Sequence, residues 1–366
     1  MLEDGQITGK QLMWLLMTSR IGGITVFLGV ITATDVKQDA WLSAVLSALL
    51  GLPLGWLAVT LGMRFPGRTI VQYSEILLGK ILGKGISLFY VWFFFFIAVV
   101  VLREAGEFLK TGLMPETPLS VFLIAIVLFA ALGVRSGIEA VGRVNELVLP
   151  AIVLTLILII ALVSRDMKLV KLKPVLERGF LPVLVAAMTP LAWFGEAVVA
   201  GMLLPYLDRP REGKRAVLTA ILLSGGLLTG VTIAVIAVFG AEISRRLSFP
   251  TYSLSRIIKM ADVIQRADFL VAMVWLGGTM IRVTLFYHAA ALGLAQWLGL
   301  RNHKPLVFPM GIILLSLSFI SWGSIIELKT FLKPLPWAAY ALTVEAGLTG
   351  LLLLVALLRR KGETKG

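Results

Sequence analysis

The sequence predicts an all-α integral membrane protein of about ten transmembrane helices, carrying breaks in the first and sixth. Two observations predict the class and a third the breaks. Uncharged apolar runs recur at 40–63, 85–102, 117–134, 147–164, 216–241, 283–300 and 305–326, and each is long enough to cross ~30 Å of hydrocarbon. Apolar residues make up 58% of the chain and charged residues 15%, with a mean hydropathy of +0.93, whereas soluble domains run near half apolar and a quarter charged. Glycine, proline and charge interrupt two runs at corresponding places in the two halves of the chain.

In chain order, spans are expected near 11–34, 40–63, 82–107, 118–135, 145–164, 180–207, 215–240, 265–297, 305–323 and 334–358. Backbone groups in lipid must bond within their own segment, and the alternation of a lipid-facing barrel is absent, so these spans are helices. The pieces between spans are too short to form a soluble domain, which gives one transmembrane domain over 1–366. The first ten residues hold Glu3 and Asp4 and lack a basic n-region, so the first span is expected to be retained. Lys and Arg in the short loops and the C-terminal tail favour both termini on the cytoplasmic side. The segment 249–260, with Arg256 and Lys259 at helical spacing, reads as a helix lying on the membrane surface, a re-entrant gate being the alternative.

Composition also excludes function classes. The chain has no cysteine, so disulfides, thiolate catalysis and cysteine metal sites are ruled out. His288 and His303 are the only histidines, too few for a histidine metal centre. No nucleophile triad or phosphate loop is present, and the reading is neither an enzyme nor a cofactor protein. The net charge of +13 comes from loop Lys and Arg beside lipid headgroups and does not indicate nucleic acid.

Function in a membrane bundle concentrates where a helix is interrupted or charged. The first span passes through Arg20-Ile21-Gly22-Gly23-Ile24-Thr25. Paired glycines favour a locally unwound backbone whose N–H groups face a ligand anion, with close helix packing as the alternative. The sixth span runs Pro190-Leu191-Ala192-Trp193-Phe194-Gly195-Glu196, where Pro190 removes a donor and Glu196 places a carboxyl in mid-span. Candidate ligand-binding residues are therefore Gly22, Gly23, Thr25, Phe194, Gly195 and Glu196. Arg20, Arg282 and Glu345 are further intramembrane charges that suggest a network, since opposite charges in a bundle find each other. If the ten spans form two halves, about 11–164 and 180–358, both breaks fall in the first helix of a half, as in inverted-repeat transporters.

Several motifs carry a family resemblance that covers essentially the whole chain. Gln72-Tyr73-Ser74-Glu75-Ile76-Leu77-Leu78-Gly79-Lys80 with Gly83-Lys84, Gly137-Ile138-Glu139-Ala140-Val141-Gly142-Arg143-Val144-Asn145-Glu146 with Pro150, and Phe249-Pro250 running on to Arg266-Ala267-Asp268 and Trp275 resemble the spore germination permeases, the B subunits of germinant receptors. Trp193-Phe194-Gly195-Glu196 is similar to the sixth-span motif of the wider amino acid–polyamine–organocation superfamily. Gly142 is smaller than the residue that pattern leads one to expect. The resemblance implies a LeuT-like fold of five plus five inverted repeats, with helices 1 and 6 broken, in a spore inner membrane. It implies a receptor A subunit and a lipoprotein C subunit as partners, and a small germinant, chiefly an amino acid, as ligand. It places Gly22 and Gly23 where such folds surround a ligand carboxylate, and Phe194, Gly195 and Glu196 at the second broken helix. The expected function is a germinant-sensing, permease-like subunit; an ion- or proton-coupled amino-acid transporter without receptor role is the alternative.

Overall fold

The computed structural model describes residues 5–32, 36–258 and 267–362, with side chains described outside 23–32 and 267–270. The chain enters α1 at Gly9 and leaves it at Thr32. It then forms α2 (Ala40–Met63), α3 (Ile70–Leu78), α4 (Lys80–Phe108), α5 (Leu119–Ser136) and α6 (Ile138–Val163). α7 (Phe180–Gly195) narrows into a 3-10 stretch, Glu196–Val199, and resumes as the short α8 (Ala200–Leu203). α9 (Gly213–Phe239), α10 (Ala241–Arg246), α11 (Pro250–Ile257) and α12 (Ala267–Leu298) follow. α13 (Lys304–Ile320) and α14 (Ile325–Phe331) lead to a last span in which α15 (Ala339–Leu342) and α16 (Thr349–Leu358) are joined and preceded by wider π turns at Pro334–Ala338 and Thr343–Leu348.

Seven described helical stretches are long and apolar enough to cross a membrane, and α13 with α14 passes the same test across a 100° bend. α1 and α12 add helices of 24 and 32 residues. Among the described residues the only β pairing is a single bridge from Ile7 to Leu207. It ties the approach to α1 onto the end of the sixth span, with Ile7 N–H donating to the Tyr206 carbonyl at 2.9 Å.

Packing explains how helices without a hydrophobic drive toward each other hold together. In lipid, association relies on close van der Waals contact at small residues. The buried face of α2 is such a stripe: Ala40, Ser43, Ala44, Ser47, Ala48, Gly51, Gly55, Ala58 and Gly62 recur at helical spacing. A Cβ on Gly51 would fall 2.6 Å from Phe194 Cβ, and one on Gly55 would fall 2.4 Å from Ile221 Cδ1, so α2 lies directly on α7 and α9. Large apolar residues face outward instead. Leu128, Phe129 and Leu132 on α5, Leu154, Ile157 and Leu158 on α6, and Ile312 and Ile313 on α13 are exposed, and lipid is their solvent.

Turn chemistry sets the corners. Gly79 and Gly137, at φ of 83° and 91°, occupy the left-handed region that L side chains avoid, and each lets one helix stop and the next begin without a loop. The fifth span accordingly begins at Ile138, earlier than the expected 145, because Gly137 starts it and a side of Asn145 faces inward. Two further expectations are corrected. α1 is helical through Gly22 and Gly23, so the expected unwinding is absent. The segment expected to lie on the membrane surface packs inward: Pro250, Thr251, Tyr252, Leu254 and Ser255 of α11 are buried against α1, α12, α9 and α6. Lys259 lies outside the described residues.

Candidate functional site

The sixth span changes pitch where the sequence places its glycine and carboxyl. After Gly195 the i→i−4 ladder tightens to 3-10 over Glu196–Val199, which re-aims successive side chains. Gly195 is required there for a steric reason. A Cβ at this position would sit 1.9 Å from Glu345 Oε2 and 2.5 Å from its Cδ, so the Glu345 carboxylate rests directly on the α7 backbone. Glu345 itself is carried by the π turn Thr343–Leu348, and neither of its oxygens has a hydrogen-bond partner among the described residues.

Two arginines meet these carboxylates. Arg282 on α12 donates from Nη2 to Glu196 Oε1 at 2.6 Å. Arg20 on α1 donates from Nη1 to the Leu16 carbonyl at 3.0 Å and from Nη2 to the Phe194 carbonyl at 3.4 Å, with its guanidinium 5.9 Å from the centre of the Phe194 ring. Arg20 lies within electrostatic range of both Glu196 and Glu345, yet no described carboxylate reaches hydrogen-bonding distance of it. Arg20, Glu196, Arg282 and Glu345 are exposed by 3%, 1%, 2% and 1%, so the centre is closed to solvent. Described cavities of about 350 and 470 Å³ lie elsewhere, between α5, α6 and α12 and between α1 and α9.

The structure thus brings together Phe194, Gly195, Glu196, Arg20, Arg282 and Glu345, which sequence reasoning had drawn from four separate spans. Gly22 lies on the same helix as Arg20 with a different local role. A Cβ there would fall 3.4 Å from the Gly278 carbonyl carbon, and the Gly22 carbonyl accepts the Trp275 indole N–H at 2.8 Å. Close packing of α1 on α12, the alternative weighed for this glycine, describes its surroundings. Gly23 is described only as helical backbone, and the Thr25 side chain lies outside the described residues.

Sequence reasoning missed Glu104. It is 2% exposed, lies within electrostatic range of Arg282 and Glu196, and its Oε1 has no hydrogen-bond partner among the described residues. It falls inside the span expected at 82–107 but, next to Arg103 where the uncharged run ends, does not stand out as a lone charge; α4 runs to Phe108 and on into a π turn to Leu113. The signal that would have found it is the Arg103–Glu107 pair at i,i+4 spacing, which marks a continuing helix. That pair is also buried: Arg103 Nη2 stands 2.8 Å from Glu107 Oε1, and Nη1 binds the carbonyls of Ser318 and Phe319 at 2.9 and 3.0 Å. It holds the last turn of α13 just ahead of the 100° bend. Among the described residues no group of three His, Asp or Glu side chains stands ready to hold a metal.

Apolar helices long enough to cross a membrane, with a pitch change and an ion cluster buried among them, define a polytopic helical membrane protein. Comparison with solved structures places the fold among transporters. MHP1, a nucleobase-cation-symport-1 family transporter solved in a closed conformation with bromovinylhydantoin bound, aligns over 99% of this chain and 82% of its own at a TM-score of 0.72 and 14% identity. MhsT in complex with L-phenylalanine aligns over 97% and 99% at 0.69 and 14%. The family is equally definite: residues 6–322 match the spore germination protein family of permeases, and the chain belongs to it. Spore germination protein KB of Bacillus subtilis (strain 168) is 29% identical over 87% of this chain and 85% of its own length. Spore germination protein YndE of the same organism is 24% identical over 93% of each.

Proposed function

We propose that this chain is the germinant-binding, permease-like subunit of a spore germinant receptor, taking a small amino acid at mid-membrane. The observation that carries this reading is the position of Arg20 against the Phe194 carbonyl, at the point where the sixth span turns from α to 3-10. Because α1 stays helical, the amides of Gly22 and Gly23 are committed to the helix, and the Arg20 guanidinium supplies the charge for a ligand carboxylate. Among the described residues it donates only to main-chain carbonyls. The ligand ammonium falls to Glu345, whose oxygens have no partner among the described residues, or to Glu196 Oε2, likewise without one there. Phe194 flanks the ligand, and Gly195 keeps the α7 backbone low beside it.

Relatives named as germination proteins, and a fold neighbour holding L-phenylalanine, support both the ligand class and the cellular role. On this reading the chain passes its signal to partners, a receptor A subunit and a lipoprotein C subunit in the spore inner membrane. The test is binding of a panel of small amino acids to the purified full chain, wild type against Arg20→Met. Loss of two buried charge-assisted hydrogen bonds, at about 1.5–3 kcal/mol each, weakens affinity by roughly two to four orders of magnitude. Unchanged affinity in a folded variant refutes the site.

A second reading has one specific observation in its favour. Three buried carboxylates, Glu104, Glu196 and Glu345, face two buried arginines, Arg20 and Arg282, leaving one carboxylate in excess and suited to carrying a proton through a transport cycle. Uptake of labelled amino acid into proteoliposomes driven by an imposed pH gradient would establish an ordinary coupled transporter.

A further inference from the structure

The cavity of about 350 Å³ between α5, α6 and α12 opens outward from the bundle. Phe129 and Gly133 on α5, Ala140 and Val144 on α6, and Gly277 and Met280 on α12 form its walls. Phe129 and Val144 are 61% and 53% exposed, which turns the groove toward acyl chains. Its floor is open at Gly277, where an added Cβ would still stand 3.6 Å from Val148. From Ala140 to Val148 the helix rises about 12 Å, and the groove runs along that length beside the exposed Phe129 and Val144, so it offers an apolar, lipid-facing track for an extended hydrocarbon chain.

The mouth of the groove is charged. Ser136 lines the end beside the turn at Gly137, and Arg135 precedes it with its guanidinium 5.0 Å over the Phe308 ring. Arg143 lies one turn into α6, highly exposed and 2.5 Å from Glu139. The loop carrying Arg301 and Lys304 is drawn to the same end, since the His303 ring Nε2 lies 3.2 Å from the Val134 carbonyl. Arg135, Arg143, Arg301 and Lys304, with Glu139 and Glu146, are thus carried by the segments that meet at this end of the bundle, and their sum is net positive.

We propose that this groove binds one acyl chain of an anionic phospholipid, with the headgroup held by Arg135, Arg143, Arg301 and Lys304. The site has a direct route to the buried ion pair. Met280 and Ile281 precede Arg282 on α12, and Thr284 follows it, and all three line the groove. An occupant therefore fixes α12 against α5 and α6 and sets the helix that presents Arg282 to Glu196. The inference does not depend on the ligand assignment above, since it concerns the outer face of α12.

The experiment is native mass spectrometry of the full chain exchanged into nanodiscs of equal phosphatidylglycerol and phosphatidylcholine. One phosphatidylglycerol should be retained in preference to phosphatidylcholine. Arg135→Gln together with Arg143→Gln should reduce that preference roughly tenfold to a hundredfold, as removal of two surface cations from one headgroup gives. Gly277→Leu, which fills the groove, should lower retention of either lipid by roughly tenfold or more. If it fails to fold, Ala140→Leu on the groove's open edge is held to the same criterion. Equal retention in wild type and a filled-groove variant overturns the proposal, as does retention without headgroup preference, or a retained peptide in place of lipid.

Discussion

Arg282 and Glu196 offer the sharpest test of the buried cluster. Arg282 Nη2 and Glu196 Oε1 are 2.6 Å apart, with side chains 3% and 1% exposed, so neither charge has water to fall back on. Removing one partner from a buried ion pair leaves the other charge desolvated and destabilises by about 3–5 kcal/mol. Arg282→Met alone should therefore lower the free energy of unfolding by that amount, and Glu196→Gln alone by a similar one. The double variant removes both charges and keeps the volume, and such replacements are near neutral or stabilising. The two single losses should fail to add by about 3 kcal/mol or more, well beyond the roughly 0.5 kcal/mol scatter of independent sites. The assay is reversible unfolding in mixed micelles, followed by tryptophan fluorescence, for wild type and the three variants. Additive losses within that scatter would show that Arg282 and Glu196 do not act as a pair, and that Glu104, Glu345 or main-chain oxygens hold Arg282 instead.

Other outcomes follow from single contacts. Gly195→Ala should destabilise by about 1–3 kcal/mol through overpacking against Glu345 and weaken amino-acid binding, while Gly85→Ala, with nothing within 4 Å of its Cβ, should do neither; thermal unfolding and ligand titration of both variants check this. Arg103→Met should leave Glu107 unpaired, destabilise by about 3 kcal/mol and speed amide hydrogen exchange at 319–324, where the carbonyls of Ser318 and Phe319 lose their donor. Trp275→Phe should remove the bond to the Gly22 carbonyl at a loss of about 0.5–1.5 kcal/mol, measured by the same unfolding assay.

How much of this was legible in the sequence differs between fold and site. Hydrophobic run length placed α2 at Ala40–Met63 and the sixth span's start at Phe180, because a bilayer of fixed thickness imposes one length on every crossing. The cost of burying charge singled out Arg20, Glu196, Arg282 and Glu345, since each stands alone in a run of apolar neighbours. Family motifs identified the permease class for the same reason that they are local in sequence. What lay beyond reach was set by contacts between distant segments. Paired glycines serve equally well to unwind a helix or to admit a neighbour, and only the approach of Gly278 to Gly22 decides for packing. The segment at 250–257 is amphipathic enough for a membrane surface, and only the space between α1, α6, α9 and α12 draws it inward. Glu104 stands where an uncharged run ends, and only the packing of α4 against α12 buries it within electrostatic range of Arg282. Length and polarity are properties of one segment in its solvent, and the sequence by itself determines them; which helix a glycine or a carboxylate meets depends on the arrangement of all the others, and the tertiary structure alone decides it.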